Sequence, residues 1–190
     1  MIEHHPLEPF IPEHTNILML GSFPPKRERW SMEFFYPNWI NDMWRIMGII
    51  FYADKHYFEV EGCKIFDCER IMEFCSSKGI ALYDSATEVK RLKDNASDKF
   101  LEVVTPTDIK ALLSKAKGCK AIVTTGQKAS DIVTEMFGCA MPAIGSHTII
   151  DSQGVNIEFW RMPSSSRAYP LSLEKKAEIY RKMLTEVGML

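Results

Sequence analysis

The chain has 190 residues, 46% of them hydrophobic, which suits one sizeable core and is short for two. Its formal net charge of -2 excludes a global attraction to polyanions, so any nucleic-acid contact has to come from a local basic patch. No apolar stretch approaches the roughly 20 residues of a bilayer span, which excludes a helical membrane anchor.

Met1 to Pro12 holds His4, His5 and three prolines and lacks the basic-then-apolar pattern of a secretory signal, so a cytoplasmic location is expected, at the nucleoid in a prokaryote. Residues 1–15 read as an N-terminal extension to a single domain spanning 1–190. Asn16 to Leu20 is a short apolar run stopped by Gly21-Ser22-Phe23-Pro24-Pro25, the pattern of a buried strand meeting a tight loop. That loop continues into Lys26, Arg27, Arg29 and Trp30, a basic cluster beside an aromatic ring. The cluster suits a phosphate or a base, although a solvated charged loop has the same composition. It lacks the spacing of a P-loop.

Helices are expected from Asn41 to Ile49 and from Asp67 to Ser76, where apolar residues recur at helical spacing. Gly79 to Tyr83 is a second apolar run, closed by Asp84 and Ser85, and Lys120 to Thr124 is a third, closed by Thr125 and Gly126. Between them the chain is charged from Glu88 to Lys99 and then helical from Thr107, the expected N-cap, to Lys117, with Gly118 as its stop. A helix over Gln127 to Phe137, a fourth strand over Val155 to Met162 and a last helix over Ser172 to Val187 complete the series.

Strands alternating with helices predict a three-layer α/β/α fold with a central, mostly parallel four-stranded sheet. Ligands gather beyond the carboxyl ends of such strands. Four loops lie there: Gly21 to Trp30, Tyr83 to Thr87, Thr124 to Lys128 and Met162 to Tyr169. In the last, Ser164, Ser165 and Ser166 offer hydroxyls and backbone N–H groups just before a helix, with Arg167 and Tyr169 beside them, a combination suited to phosphate oxygens and also common in ordinary polar turns. The five cysteines are odd in number and widely spread, so reduced core thiols are expected, with no metal site.

The ordered set Gly21-Ser22-Phe23-Pro24, Phe35-Tyr36-Pro37-Asn38-Trp39-Ile40-Asn41-Asp42-Met43-Trp44, Gly79-Ile80-Ala81-Leu82-Tyr83-Asp84, Thr125-Gly126-Gln127-Lys128-Ala129 and Met162-Pro163-Ser164-Ser165-Ser166-Arg167-Ala168 resembles the uracil-DNA glycosylase superfamily. Within it the second segment is most similar to the hypoxanthine (deoxyinosine) and mismatch-specific branch. The resemblance implies a monofunctional DNA glycosylase of base excision repair, needing no cofactor, monomeric, acting on DNA that carries a damaged or mismatched base.

It implies residue roles as well. Gly21, Ser22 and Phe23 would line the base pocket and Tyr36 would stack on an extruded base, where the plain alternative is a rim tyrosine. Asn41 would position the attacking water, where the alternative is a helix N-cap. Asp84 stands where uracil-removing relatives carry an Asn that reads the base edge, and a carboxylate accepts only. Lys26, Arg27, Arg29, Ser164, Ser165, Ser166, Arg167 and Tyr169 would hold the DNA backbone. Phe23 and Met162 replace polar residues found in many relatives, which favours hypoxanthine over uracil. It also leaves two other readings open: a nucleic-acid-binding member without activity, and a hydrolase of free nucleosides or nucleotides.

Overall fold

The computed structural model describes residues 1–92 and 100–190. Its central sheet contains the four expected strands and one more. β2 (Ile17–Gly21), β3 (Ile80–Asp84), β6 (Ala121–Thr124) and β8 (Val155–Arg161) pair in parallel, and β7 (Ser146–Ser152) adds to β8 antiparallel, in the order β3-β2-β6-β8-β7. The sheet is therefore five-stranded and mixed, a correction to the four-stranded, mostly parallel expectation. β2, β3 and β6 are buried along their whole length, as continuous apolar runs covered on both faces should be. β7 escapes such a reading because it is an edge strand whose residues alternate between buried and exposed positions near its end. Gln153 and Gly154, both at positive φ (57° and 84°), make the tight hairpin turn that returns it to β8.

A second, three-stranded antiparallel sheet is formed by β1 (Ile2–His4), β4 (Ala86–Arg91) and β5 (Leu101–Pro106), in the order β1-β4-β5. Its strands β4 and β5 overlap and follow the stretch Glu88 to Lys99 that was read only as charged. Only Ala86, Val89 and Leu101 form its small core, with Phe23 and Val103 packed on them, so its other face carries the charges. Of that charged stretch, residues 93–99 lie outside the described residues. The N-terminal segment is also less detached than expected, since β1 is an edge of this sheet and Phe10 bridges to Leu82 of the central one.

The helices are α1 (Met43–Tyr52), α2 (Cys68–Lys78), α3 (Ile109–Lys115), α4 (Gln127–Phe137) and α5 (Leu173–Glu186). Asp67 and Ser172 cap α2 and α5 by accepting from the N–H groups of Arg70 and Lys175. For α3 the cap is Asp108, not Thr107, whose hydroxyl donates instead to the Asp84 carbonyl at 2.7 Å. That helix ends at Lys115, before Gly118. Among the described residues no helix is long and apolar enough to cross a membrane. Of the five cysteines, none is in a disulfide; Cys75 is buried, whereas Cys63 is exposed and is not a core thiol.

The strand order fixes where a site can form. The chain leaves β2 to one side for β3 and then returns to its other side for β6, so direction reverses at β2. Right-handed crossovers to opposite sides leave by opposite faces, which opens a crevice at the carboxyl ends of these three strands. Register aligns Gly21 with Asp84, and Leu20 with Thr124, at that edge.

Candidate active site

Gly21 ends β2 where there is no room for a side chain. A Cβ built on it would lie 2.3 Å from Asp84 Oδ1 and 3.8 Å from Tyr36 Cε1, so the carboxylate and the tyrosine ring flank bare backbone. Its backbone carbonyl accepts from Ser85 N–H at 2.8 Å, which ties the loop after β2 to the end of β3. Ser22 follows, half-buried.

Tyr36 sits at φ 52°, a left-handed conformation that costs a bulky residue on the order of 1 kcal/mol or more. Two contacts hold it there: its hydroxyl hydrogen-bonds Thr125 Oγ1 at 2.9 Å, and its ring meets Trp44 edge-on at 6.1 Å. Burial of the hydroxyl pushes its ionisation well above the ordinary phenol range, so it is a neutral hydrogen-bonding group. Stored strain of this kind is retained where the surroundings fix it, and here they fix a ring beside Gly21.

Asp84 is held by a residue that the sequence reading placed in an extension. His5 Nε2 lies 2.8 Å from Asp84 Oδ2, with the two side chains 2% and 11% exposed. His5 Nδ1 lies 2.8 Å from the Leu7 carbonyl oxygen and 3.1 Å from the Leu7 N, so the ring is held at both nitrogens, by the Leu7 backbone on one side and the Asp84 carboxylate on the other. The imidazole is enclosed by Tyr83 (4.6 Å), Phe23 (5.3 Å) and Phe35 (6.2 Å) between ring centroids. Thr87 is not a partner of Asp84; its hydroxyl donates to the Thr105 carbonyl.

Phe23 packs on the small sheet's core, edge-on to His5, with the Arg91 guanidinium 6.0 Å from its ring. Together with Glu3, His4, Pro6, Lys26, Arg27 and Trp30 it lines an open surface groove of about 450 Å³. Lys26 and Arg27 are exposed there, Arg27 pairing with Glu33 and stacking over Trp30 at 4.3 Å; Arg29 is exposed next to them in sequence and does not line the groove.

The second half of the site is two loops fastened together. Asn41 bridges Ser166, Asp42 N–H donates to the Ser165 carbonyl at 2.9 Å, and Arg167 N–H reaches the Ile40 carbonyl. Asn41 Oδ1 accepts from Met43 N–H at 2.9 Å, which gives the amide a part in starting α1 and leaves its Nδ2 as the donor. Arg167 Nε donates to Asp42 Oδ1 at 2.9 Å, and its side chain is 47% exposed. Ser164 and Ser166 use their hydroxyls to accept from Ser166 N–H and Ala168 N–H, so this turn is prearranged by its own side chains. Ser165 is buried, and Tyr169 N–H donates to the Ser166 carbonyl. Met162 is buried in the core and offers no polar group.

The structure thus brings Gly21, Tyr36 and Asp84 together, and separately Asn41 with Ser164 to Arg167. It sets Phe23, Lys26 and Arg27 along the neighbouring groove, with Arg29 exposed outside its lining. Sequence reasoning missed His5, because the pairing joins residues 79 apart and no local pattern signals it.

Fold and site define an α/β protein in which Asp84, Thr125 and the Tyr36 ring gather around Gly21 at the carboxyl edge of the sheet, where strand order reverses. No protein-family model matches the sequence, and no curated protein matches it. Among solved structures, the chain is similar to that of a provisionally named uracil DNA glycosylase from Methanosarcina acetivorans, at 21% identity and a TM-score of 0.64, over 97% of this chain and 99% of that one. At that identity the likeness establishes a shared fold.

Proposed function

We propose that this protein is a monofunctional DNA glycosylase of the uracil-DNA glycosylase superfamily that hydrolyses the N-glycosidic bond of a deaminated or mismatched base, with hypoxanthine as the preferred base. The observation that carries the reading is the Gly21–Tyr36–Asp84 arrangement: a flat ring, a carboxylate oxygen and a stretch of backbone without a side chain converge at the carboxyl edge of β2 and β3. The fold shared with a protein named as a uracil DNA glycosylase supports it. A flipped base would stack on Tyr36 and present its edge to Asp84.

In the reaction the bond from sugar to base breaks with its electron pair going to the base, water oxygen bonds to the sugar carbon, and the water gives up a proton to solvent. Asn41 Nδ2 would orient that water. Lys26, Arg27, Arg29, Ser164 to Ser166, Arg167 and Tyr169 would grip phosphates, whose charge favours a cationic sugar in the transition state. Asp84 decides between bases electrostatically. Uracil departs carrying negative charge, which a nearby carboxylate opposes; a purine that has taken a proton on its five-membered ring departs neutral, and the carboxylate favours that protonation.

The test uses duplexes that each hold one uracil, hypoxanthine, xanthine or mispaired thymine, followed by alkaline cleavage of abasic sites. Release of hypoxanthine is the expected result. Release of uracil alone overturns the base preference, and no release from any duplex overturns the glycosylase reading.

A further inference from the structure

Asp84 is built as a one-sided acceptor. Its Oδ2 is taken by His5, which is 2% exposed on its side chain and wedged among Phe23, Phe35 and Tyr83, so the carboxylate cannot rotate without losing its partner. Its Oδ1 lies against Gly21 and beside the Tyr36 ring, and among the described residues the hydrogen bond to the carboxylate is that of His5 to Oδ2. A group that reaches Oδ1 meets a lone pair and no proton.

From this we infer that His5 is a positioning residue for recognition, and that the His5–Asp84 pair selects bases presenting a ring N–H, the lactam form, in the plane of the Tyr36 stack. The inference rests on the base-excision reading and deepens it. Its chemical logic is general. Hydrolytic deamination of adenine or cytosine replaces an amino group by a carbonyl and moves a proton onto the adjoining ring nitrogen, turning an acceptor into a donor. Adenine N1 and cytosine N3 would set a lone pair against Asp84 Oδ1, whereas hypoxanthine N1–H and uracil N3–H would donate to it. The pair therefore reads the proton that distinguishes a deaminated base from its parent. A carboxylate left unanchored could turn away from the base and would then read neither form.

The experiment has a binding arm that does not depend on turnover. Imidazole nitrogen resonances of His5 are followed by NMR while the full-length protein is titrated with free hypoxanthine and, separately, with 1-methylhypoxanthine, which lacks the N1–H. Hypoxanthine is expected to shift them and the methylated base is not. His5→Leu, which keeps bulk and removes the donor, is expected to weaken hypoxanthine binding by about 10- to 100-fold, the effect of losing one hydrogen bond to a charged group. In the same variant, discrimination between deoxyinosine and deoxyadenosine duplexes falls by a similar factor. His5→Gln, whose amide nitrogen can take the place of Nε2, restores both to within a few-fold.

Equal binding of the two free bases, no shift with hypoxanthine, or wild-type discrimination in folded His5→Leu overturns the inference. Should His5→Leu fail to fold, the methylated base and His5→Gln still decide. Selective base binding without release from any duplex overturns the glycosylase reading and leaves the inference standing; release of hypoxanthine that is indifferent to His5 does the reverse.

Discussion

Replacing Gly21 with alanine puts a methyl group where Asp84 already is. Gly21 is not among the residues at positive φ, so alanine suits its backbone and the cost is purely one of space. Oδ1 has to withdraw from 2.3 Å to at least 3.0 Å from the new carbon. A free carboxylate would swing aside at little cost, but this one is held at 2.8 Å by an imidazole that three aromatic rings enclose. The retreat therefore breaks the His5–Asp84 bond, worth about 1.5–3 kcal/mol for a hydrogen bond to a charged group. For a domain of this size that lowers the melting temperature by about 3–12 °C. Thermal melts of Gly21→Ala, His5→Leu and the double variant close a cycle. In the His5→Leu background Asp84 is free to move, so the second substitution should cost at least about 1 kcal/mol less than it does alone. A single variant melting within about a degree of the wild type, or the same cost in both backgrounds, would refute the coupling.

Asn41→Asp keeps the oxygen that accepts from Met43 N–H and removes the Nδ2 donor, so the melting temperature should hold while the single-turnover rate falls by about 10²-fold or more; a near-normal rate removes Asn41 from the chemistry. Arg167→Ala should weaken duplex binding and lower the log–log salt slope by about 0.9, and an unchanged slope would show that this side chain makes no phosphate contact. Burial pushes the Cys119 thiol from 9.0 up to about 11, so the fold keeps a proton that the unfolded chain sheds. Its stabilising effect is present below pH 9 and lost between about pH 9 and 11 at up to about 1.4 kcal/mol per pH unit; denaturant melts of Cys119→Ala across that window should lose this component of the slope, and an unchanged slope would refute the assignment.

Three of the parallel strands, β2, β3 and β6, were legible in the sequence because each is buried on both faces and reads as an unbroken apolar run ended by a turn signal, whereas β8 was legible from its alternation. Strands with one covered face give no such run. β7, at the edge of its sheet, alternates between half-buried and exposed positions before Ile150, and β4, although central in the small sheet, carries Glu88, Lys90 and Arg91 around the buried Val89, so charge content masked a strand that has only one face to hide. The loops that build the pocket were legible from the same rule that ends the parallel strands, since Gly21, Asp84 and Thr125 close or follow three of them. What could not be read was how the pocket is wired. His5 meets Asp84 only because β1 docks on β4 and carries the N-terminal segment across the end of β3, a long-range pairing that leaves no trace in local periodicity. Phe23 illustrates the same limit: its packing on the small sheet could not be read because that sheet was itself hidden.

The loop pair opposite the pocket has the electrostatics of a grip that can be handed over. Asp42 is buried and shared: Arg45 Nη1 lies 3.3 Å from the same Oδ1 that Arg167 reaches at 2.9 Å. Arg45 is itself buried, donates to the Trp39 and Asn41 carbonyls, and pairs with Glu59 at 2.6 Å, so it cannot leave. Lys176, whose ammonium burial drives its ionisation down against the pull of Asp42, donates to the Ser166 carbonyl and fixes the loop from beneath. Arg167 is the exposed member. An ion pair with one end in water is worth about 0–1 kcal/mol, and when Arg167 turns away Asp42 keeps Arg45. A phosphate beside Ser166 could therefore draw Arg167 off at small cost without stranding a buried carboxylate, and the backbone bridge from Asn41 to Ser166 would carry that contact to the amide proposed to hold the water.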